Sequence, residues 1–130
     1  MNISIMTLIL ALIQVESSGN DLAVGDNGKS WGCLQLQSAY VQDAAEYAKE
    51  DWNHFDAFDR NKSIEIFLAY MARYATPERL GRPVTAEDMA RIHNGGPGGY
   101  KKKATDKYWA KVRAELIKMG AILVAENGGK

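Results

Sequence analysis

Two acidic residues near the start of the chain have the types and surroundings needed for acid–base chemistry on a polar bond. Glu16 follows a nearly continuous apolar stretch, residues 3–15. Burial and the negative end of a helix dipole both oppose ionisation there, so we expect its carboxyl to stay protonated. Asp26 lies in a polar turn, where a carboxylate stays ionised. A protonated and an ionised carboxyl on opposite sides of a sugar bond are the pair that glycosidases use.

Each of these residues also has a simpler structural explanation. Glu16 is equally compatible with an exposed position at a fraying helix end. Asp26 begins the sequence Asp-Asn-Gly, which is most often simply a turn. Asp21 is close enough along the chain to supply the second carboxylate in place of Asp26.

The elements that would position this pair can be predicted from periodicity and from turn signals. The stretch from Asn2 to about Ser17 is apolar almost all round and predicts a buried helix. Gly, Asn and Asp residues between Asn20 and Gln35 predict a small, irregular β-hairpin. Four further segments are predicted: a helix from a Ser38 cap to about Lys49, a helix at about 61–75, a loop at 76–83, and a short helix from Thr85 to His93.

The remaining chain predicts a turn followed by one more helix. Residues 94–99 contain four glycines and a proline, which favours a turn, and a helix is expected at about 105–119. The tail Glu126–Lys130 is expected to fray. We therefore predict a mostly α, α+β fold with a small β-hairpin after the first helix, built as a single domain over residues 1–130.

The carboxylate pair lies within a longer pattern that resembles the invertebrate-type lysozymes, also called destabilase-lysozymes. The resemblance covers roughly residues 13–112, and its most specific part is the His-Asn-Gly-Gly-Pro sequence at residues 93–97. Glu-Ser-Ser-Gly at residues 16–19 is weaker, because soluble lytic transglycosylases share it loosely. The other matching segments are residues 32–36, Ala39-Tyr40, Asp43, residues 70–74, Lys101-Lys102 and Tyr108-Trp109.

The resemblance implies a lysozyme-like fold and cleavage of the β-1,4 bond between N-acetylmuramic acid and N-acetylglucosamine in peptidoglycan. It implies that Glu16 is the proton donor and that Asp26 is the nucleophile or oxocarbenium stabiliser. The family's sugar groove falls on residues 36–42, Tyr70 and the turn at residues 93–95. The substrate-binding residues implied in this way are Gln37, Tyr40, Tyr70, His93, Asn94 and Gly95.

The chain departs from that family in its cysteines. The family is disulfide-dense, whereas this chain has Cys33 as its one cysteine and Tyr100 where a cysteine normally stands. Such a chain can form no intramolecular disulfide. It suits a protein made in a bacterial cytoplasm, such as a phage endolysin or a tail-associated lysozyme. An endolysin would need a separate holin-like partner to reach the wall.

The apolar N-terminus resembles the hydrophobic region of a signal peptide. No Lys or Arg precedes it, no small-residue cleavage site follows it, and 13 residues are too few to span a bilayer. We therefore expect cytoplasmic synthesis without a classical signal peptide, followed by action on the bacterial cell wall. A monomer without an integral membrane segment, a nucleic-acid partner, a metal or a cofactor is expected.

Charge is distributed unevenly along the chain, although its formal net charge is zero. Residues 1–78 carry 5 basic and 11 acidic side chains, and residues 79–118 carry 10 basic and 4 acidic ones. One interpretation is a cleft with a basic wall that steers an anionic polymer, and the other is a solvated surface. The run Lys101-Lys102-Lys103 carries the same two interpretations: contact with an anionic wall polymer, or simple solvation.

Other functions remain compatible with the sequence. A lytic transglycosylase would use Glu16 alone and release anhydro-muropeptides. An isopeptidase, an activity of some destabilase-lysozymes, would need an activated serine such as Ser38 or Ser63, but neither lies in a recognisable nucleophile motif. A wall-binding protein without catalysis is the remaining alternative.

Trp31 has two interpretations, as a ring that stacks on a sugar or as a residue that packs the hairpin onto the helices. His93 also has two interpretations, which are compatible with each other: a groove ligand, or a residue that caps the short helix and holds the glycine-rich turn.

Overall fold

The computed structural model describes residues 3–122, and it is mostly helical with a two-stranded sheet after the first helix. This architecture confirms the predicted fold class. The predicted tail Glu126–Lys130 lies outside the described residues. In chain order the main elements are α1 (Ile5–Ser17), β1 (Val24–Gly25), β2 (Ser30–Trp31), α2 (Ser38–Ala48), α3 (Arg60–Tyr74), α4 (Pro77–Leu80), α5 (Ala86–Gly95) and α6 (Asp106–Lys118).

Helix α1 ends where the sequence predicted but is less enclosed than expected. The Ser4 hydroxyl accepts a hydrogen bond from the Thr7 backbone N–H at 3.1 Å, a contact typical of a helix start. Met6 and Leu10 are about half exposed, at 47% and 49%. The prediction of a helix surrounded on all sides is therefore wrong, because α1 buries one face. That face consists of Leu8, Ile9, Ala11, Leu12 and Ile13.

The chain divides into two compact units. One contains residues 16–84, and the other contains residues 3–15 together with residues 85–122. The boundary falls within α1, so that Glu16 and Ser17 belong to the first of these units.

The hairpin in residues 16–84 has the predicted position and turn. Val24 pairs with Trp31 and Gly25 with Ser30 in antiparallel register. The connecting 3₁₀ turn, Asp26–Gly28, places three successive residues at positive φ, between 52° and 90°. Asp, Asn and Gly tolerate this left-handed conformation better than other residues, which explains why the chain reverses here.

Helices α2 and α3 pack against each other in the same unit. Helix α2 begins at Ser38, but Gln37 occupies the cap position and no side chain caps this helix, so the predicted Ser38 cap is wrong. Helix α3 is capped by Asp59, whose Oδ1 accepts from the Lys62 backbone N–H at 2.9 Å. The buried side chains are Val41, Ala44 and Ala45 on α2 and Ser63, Ile66, Phe67, Tyr70 and Met71 on α3.

Polar contacts add to the packing of these two helices. Arg73 donates to the Asp43 carboxylate at 2.6 Å and to Glu46 Oε1 at 2.8 Å. The Tyr74 hydroxyl is 2.7 Å from Asp43 Oδ1. Asp43 of α2 therefore holds two neighbouring residues of α3 at once.

Two short segments of this unit were not predicted as helical. Residues His54–Phe58 form a 3₁₀ helix that begins with a capping box between Asn53 and Asp56. Within the predicted loop, Pro77–Leu80 forms one turn of helix, α4, because Thr76 caps it and Pro77 stands at its start.

The other unit contains α5 and α6, which pack together. The capping box between Thr85 and Asp88 is present as predicted. Helix α5 continues to Gly95, two residues beyond the predicted end, and the turn begins at Gly96, whose φ is 86°. Asn94 and Gly95 are thus helical, which corrects the predicted turn.

Arg91 organises the loop between these two helices. Its guanidinium donates to Glu87, to the Thr105 hydroxyl and to Asp106, each within 2.9 Å. No helix in residues 3–122 is long and apolar enough to cross a bilayer.

Candidate active site

Glu16 lies in the last turn of α1 and is half-buried. Its neighbour Ser17 donates a hydrogen bond to the Cys33 carbonyl at 2.8 Å. This bond ties the end of α1 to the segment that follows the hairpin. The position of Glu16 is therefore fixed from both sides, by the helix before it and by this contact after it.

Two tyrosines stack on each other, and one of them, Tyr40, lies close enough to Glu16 to be influenced by its charge. The rings of Tyr40 on α2 and Tyr70 on α3 are 3.8 Å apart between centroids and nearly parallel, at 8°. Burial of the phenol, followed by the influence of Tyr70 and Glu16, raises the pKa of Tyr40 well above its usual value. Burial, with Asp43 and Tyr74, raises the pKa of Tyr70 to about 12. Both phenols therefore remain neutral at ordinary pH, and the structure brings together three residues that the resemblance implied.

Asp26 lies at the exposed tip of the hairpin and is held by a chain of hydrogen bonds. The Ser30 hydroxyl donates to Asp26 Oδ2 at 2.6 Å, and Gln37 Nε2 donates to the Ser30 oxygen at 3.3 Å. Ser30 is 2% exposed, so its hydroxyl has little freedom to turn elsewhere. Asp26 and Gln37 are thereby connected through a residue that the sequence analysis did not single out.

Asp21 has a different environment. Its Oδ1 accepts from Arg60 Nε at 2.8 Å, and the same guanidinium donates to the Gly19 carbonyl at 2.7 Å. Arg60 lies 39 residues further along the chain, so no local spacing predicts this ion pair. Asp21 therefore anchors the segment after α1 to the start of α3.

A cleft of about 340 Å³ opens beside the hairpin and the start of α2. Gln37 and its two successors lie on one side of it, within the segment that the resemblance placed in a sugar groove. The sequence analysis missed Lys29 and His54 as lining residues, because no spacing or motif connects them to the groove. The lining residues are Gly28, Lys29, Trp31, Gln37, Ser38, Ala39 and His54.

Trp31 forms part of an aromatic cluster next to this cleft. Its ring stacks on His54 with centroids 3.6 Å apart and planes 2° from parallel, and Phe58 lies 5.0 Å away. The indole N–H donates to the Gly28 carbonyl at 2.7 Å. Of the two interpretations of Trp31, packing is confirmed, and the partner is the 3₁₀ segment at residues 54–58.

The three remaining predicted groove residues belong to the other unit. His93, Asn94 and Gly95 form the last turn of α5, where His93 is buried and Asn94 is exposed. The Gly95 carbonyl accepts from Lys102 Nζ at 2.8 Å. Their sugar-binding role stays a prediction.

Neither a buried serine nor a metal cluster adds to this site in the described residues. Ser63, one of the serines considered for an isopeptidase, is completely buried, whereas Ser38 lies on the cleft. Within residues 3–122, no group of three or more His, Cys, Asp or Glu side chains is arranged to hold a metal ion.

The fold is that of a lysozyme-like protein. The crystal structure of Tapes japonica lysozyme superimposes with a TM-score of 0.68 at 31% identity, covering 82% of this chain and 86% of that one. The sequence matches the Destabilase family over residues 7–115. The chain therefore belongs to the Destabilase family.

Individual relatives of similar sequence are also named lysozymes. Lysozyme 1 of Crassostrea virginica is 38% identical over 89 residues, which are 68% of this chain and 46% of that protein. The invertebrate-type lysozyme of Ruditapes philippinarum is 40% identical over 80 residues, which are 62% of this chain and 56% of that protein. The matched region thus spans about half the length of these curated relatives.

Proposed function

We propose that this protein is a lysozyme that hydrolyses the β-1,4 bond between N-acetylmuramic acid and N-acetylglucosamine in peptidoglycan. Membership of the Destabilase family and the similarity to proteins named lysozymes support this activity. The observation that carries the assignment of residues is the contrast between two carboxyl environments in one unit. Glu16 is half-buried beside neutral phenols, and Asp26 is exposed at a polar turn.

In the proposed reaction Glu16 donates its proton to the glycosidic oxygen as the bond from that oxygen to the sugar carbon breaks. Tyr40, which lies close enough to Glu16 to be influenced by it, and Tyr70, which stacks on Tyr40, carry no charge at ordinary pH and add no negative charge there. Asp26 then faces the positive charge that develops on the sugar, either stabilising it or bonding to it. Water adds to the sugar carbon and returns a proton to Glu16.

The hydrogen bond from Ser30 supports the role of Asp26. The hydroxyl donor fixes the direction of the Oδ2 oxygen. Asp21 is less suited to the role, because it is already occupied by the Arg60 guanidinium. The cleft beside Gln37 offers amide and hydroxyl groups to a sugar. Glycan strands of peptidoglycan are the proposed partner, and sugar contacts by His93, Asn94 and Gly95 of α5 stay a prediction from the resemblance.

The decisive experiment is mass spectrometry of the soluble products released from purified peptidoglycan by the wild type and by Glu16→Gln. We expect reducing muropeptides from the wild type and a loss of at least about 1,000-fold in Glu16→Gln, since the proton donor is removed. Glu65→Gln, an exposed glutamate on α3, is the matched control and should keep full activity. Circular dichroism should show that all three proteins are folded.

Other products would change the assignment. Anhydro ends, one water lighter than hydrolysis products, would identify a lytic transglycosylase. Retention of most activity by Glu16→Gln would contradict the role of Glu16. Absence of products from the folded wild type would contradict lysozyme activity itself.

A further inference from the structure

The exposed face of α6 is composed almost entirely of lysine and alanine. Lys107, Lys111 and Lys118 follow each other at spacings of four and seven residues, which place them on one side of an α-helix. Lys103 precedes them by four residues, in the 3₁₀ turn that leads into α6. The small residues on the same side are Ala104, Ala110 and Ala114, and all seven side chains are exposed.

The opposite side of the helix explains why this face stays exposed. Val112 and Leu116 are completely buried, as is Thr105 just before the helix, so the core-facing side of α6 is fixed. The lysine face therefore points to solvent in the described structure. We define the lysine stripe as Lys103, Lys107, Lys111 and Lys118.

Three of the four cations in the lysine stripe are unpaired within residues 3–122. The ammonium groups of Lys103, Lys107 and Lys111 form no ion pair or hydrogen bond there, whereas Lys118 lies 3.7 Å from Glu115. The other acidic residue of α6, Asp106, is bound by Arg91 at 2.9 Å. Among residues 3–122, Lys103, Lys107 and Lys111 therefore present positive charge without an ion-pair partner.

The spacing of the lysine stripe matches a particular kind of polyanion. Four residues of α-helix advance by about 6 Å, which is the interval between Lys107 and Lys111 along the axis, and Lys118 follows about 10.5 Å further on. In a polymer of three-carbon polyols linked by phosphate diesters, each repeat contains six backbone bonds and extends to about 7 Å, like two amino-acid residues. The alanines between the lysines leave a flat path on which such a chain can lie.

We propose that the lysine stripe binds a linear polyphosphodiester of the bacterial cell wall, which would hold the enzyme at its substrate. The choice of a wall polymer rests on the proposed function. The side-chain chemistry favours it over a nucleic acid, because this face offers neither aromatic rings for base stacking nor arginine forks for base edges. Lysines supply point charges that suit phosphates alone.

The test measures binding of a synthetic glycerol phosphate decamer by isothermal titration calorimetry at two salt concentrations. The wild type is compared with the triple variant Lys103→Glu, Lys107→Glu, Lys111→Glu. We expect the variant to bind at least about 10-fold more weakly, and its dependence of log K on log salt to become shallower by about 2, as removal of three phosphate contacts implies.

A control variant shows whether weaker binding of the decamer comes from loss of the lysine stripe or from the change in net charge. The control variant Lys49→Glu, Lys62→Glu changes two exposed lysines of the other unit and should leave binding within about twofold. The double stripe variant Lys107→Glu, Lys111→Glu makes the same change in net charge and should bind more weakly than this control. The proposal is overturned when the control loses as much affinity for the decamer as the stripe variant does, or when the wild type does not bind the decamer. Equally tight binding of a duplex DNA of similar charge also overturns it, since the face would then be a general polyanion site.

Cleavage of peptidoglycan stripped of phosphodiester polymers is measured in parallel and separates the two proposals. Unchanged cleavage by the stripe variant, together with weaker decamer binding, supports the assignment of a separate anchoring surface. Decamer binding by a wild type that cleaves nothing would overturn the proposed function, and with it the choice of a wall polymer.

Discussion

At the scale of single residues, Asp21 and Asp26 differ in the groups that engage their carboxylates. Both are acidic residues within ten positions of Glu16, and the sequence left the choice between them open. In the structure Asp21 is engaged by Arg60 at 2.8 Å, whereas Asp26 is exposed and accepts a hydroxyl hydrogen bond from Ser30 at 2.6 Å. The tertiary contacts thus favour Asp26.

Replacing each aspartate by asparagine tests this preference. We expect Asp26→Asn to reduce turnover of purified peptidoglycan by about 100-fold or more, because the amide neither stabilises a cationic sugar nor attacks it. Asp21→Asn weakens a partly exposed ion pair and should lower activity by less than about threefold. Initial rates of reducing-end release measure both variants. An equal loss in the two variants would reject the choice of Asp26.

At the scale of elements, the hairpin and the 3₁₀ segment at residues 54–58 depend on one close approach. A Cβ at Gly32 would collide with the Ala57 carbonyl oxygen, and the φ of Gly32 is 84°. Glycine is needed here for two reasons, the left-handed backbone and the absence of a side chain. The close approach of Gly32 to Ala57 accompanies the stacking of Trp31 on His54, and both of these aromatic residues line the cleft.

Gly32→Ala should therefore be more destabilising than a glycine replacement in open space. We expect a decrease of about 2–4 kcal/mol in the free energy of unfolding, from overpacking plus the strain of a positive φ. Gly81→Ala is the matched control, since its φ is 77° and nothing lies within 4 Å of the added Cβ, and it should cost about 1 kcal/mol. Urea denaturation followed by circular dichroism measures both. Equal decreases in the free energy of unfolding for the two variants would show that the contact with Ala57 is unimportant.

Elements were predicted best where the signal is local. The Thr85–Asp88 capping box, the hairpin turn and the periodicity of α3 involve residues within a few positions of one another, and the structure contains all three. The errors have equally local causes. Ser38 is the first residue of α2 and not its cap. Helix α5 includes Asn94 and Gly95 and ends before Gly96, whose φ is positive.

At the scale of the whole molecule, the absence of disulfides distinguishes this chain from the disulfide-dense pattern of the family it resembles. Cys33 is its one cysteine and is completely buried. Burial raises the pKa of the Cys33 thiol, which lowers the fraction of reactive thiolate. Cohesion within each unit must therefore come from apolar packing and from polar links such as those of Arg73 and Arg91.

The stability of this protein should be independent of redox conditions. We expect the same Tm with and without a reductant, and labelling of the Cys33 thiol by Ellman's reagent at least about 100-fold slower in the native than in the denatured protein. Lys62→Cys provides an exposed thiol as a control, and one equivalent should react rapidly in that variant. A Tm that falls with reductant, or rapid native labelling of the wild type, would contradict the buried, unpaired state of Cys33.

The sequence by itself determined the helical fold class, the hairpin after α1, the position of Glu16 at the end of that helix and the absence of an intramolecular disulfide. These features follow from periodicity, turn chemistry and composition, which act over a few residues. The tertiary structure decided which side chains meet. These contacts join residues that are distant along the chain or on different elements. They are the ion pair of Asp21 with Arg60, the stacking of Trp31 on His54 and of Tyr40 on Tyr70, and the hydrogen bonds that connect Asp26 through Ser30 to Gln37. Packing of whole elements sets such contacts, so no local pattern in the sequence encodes them.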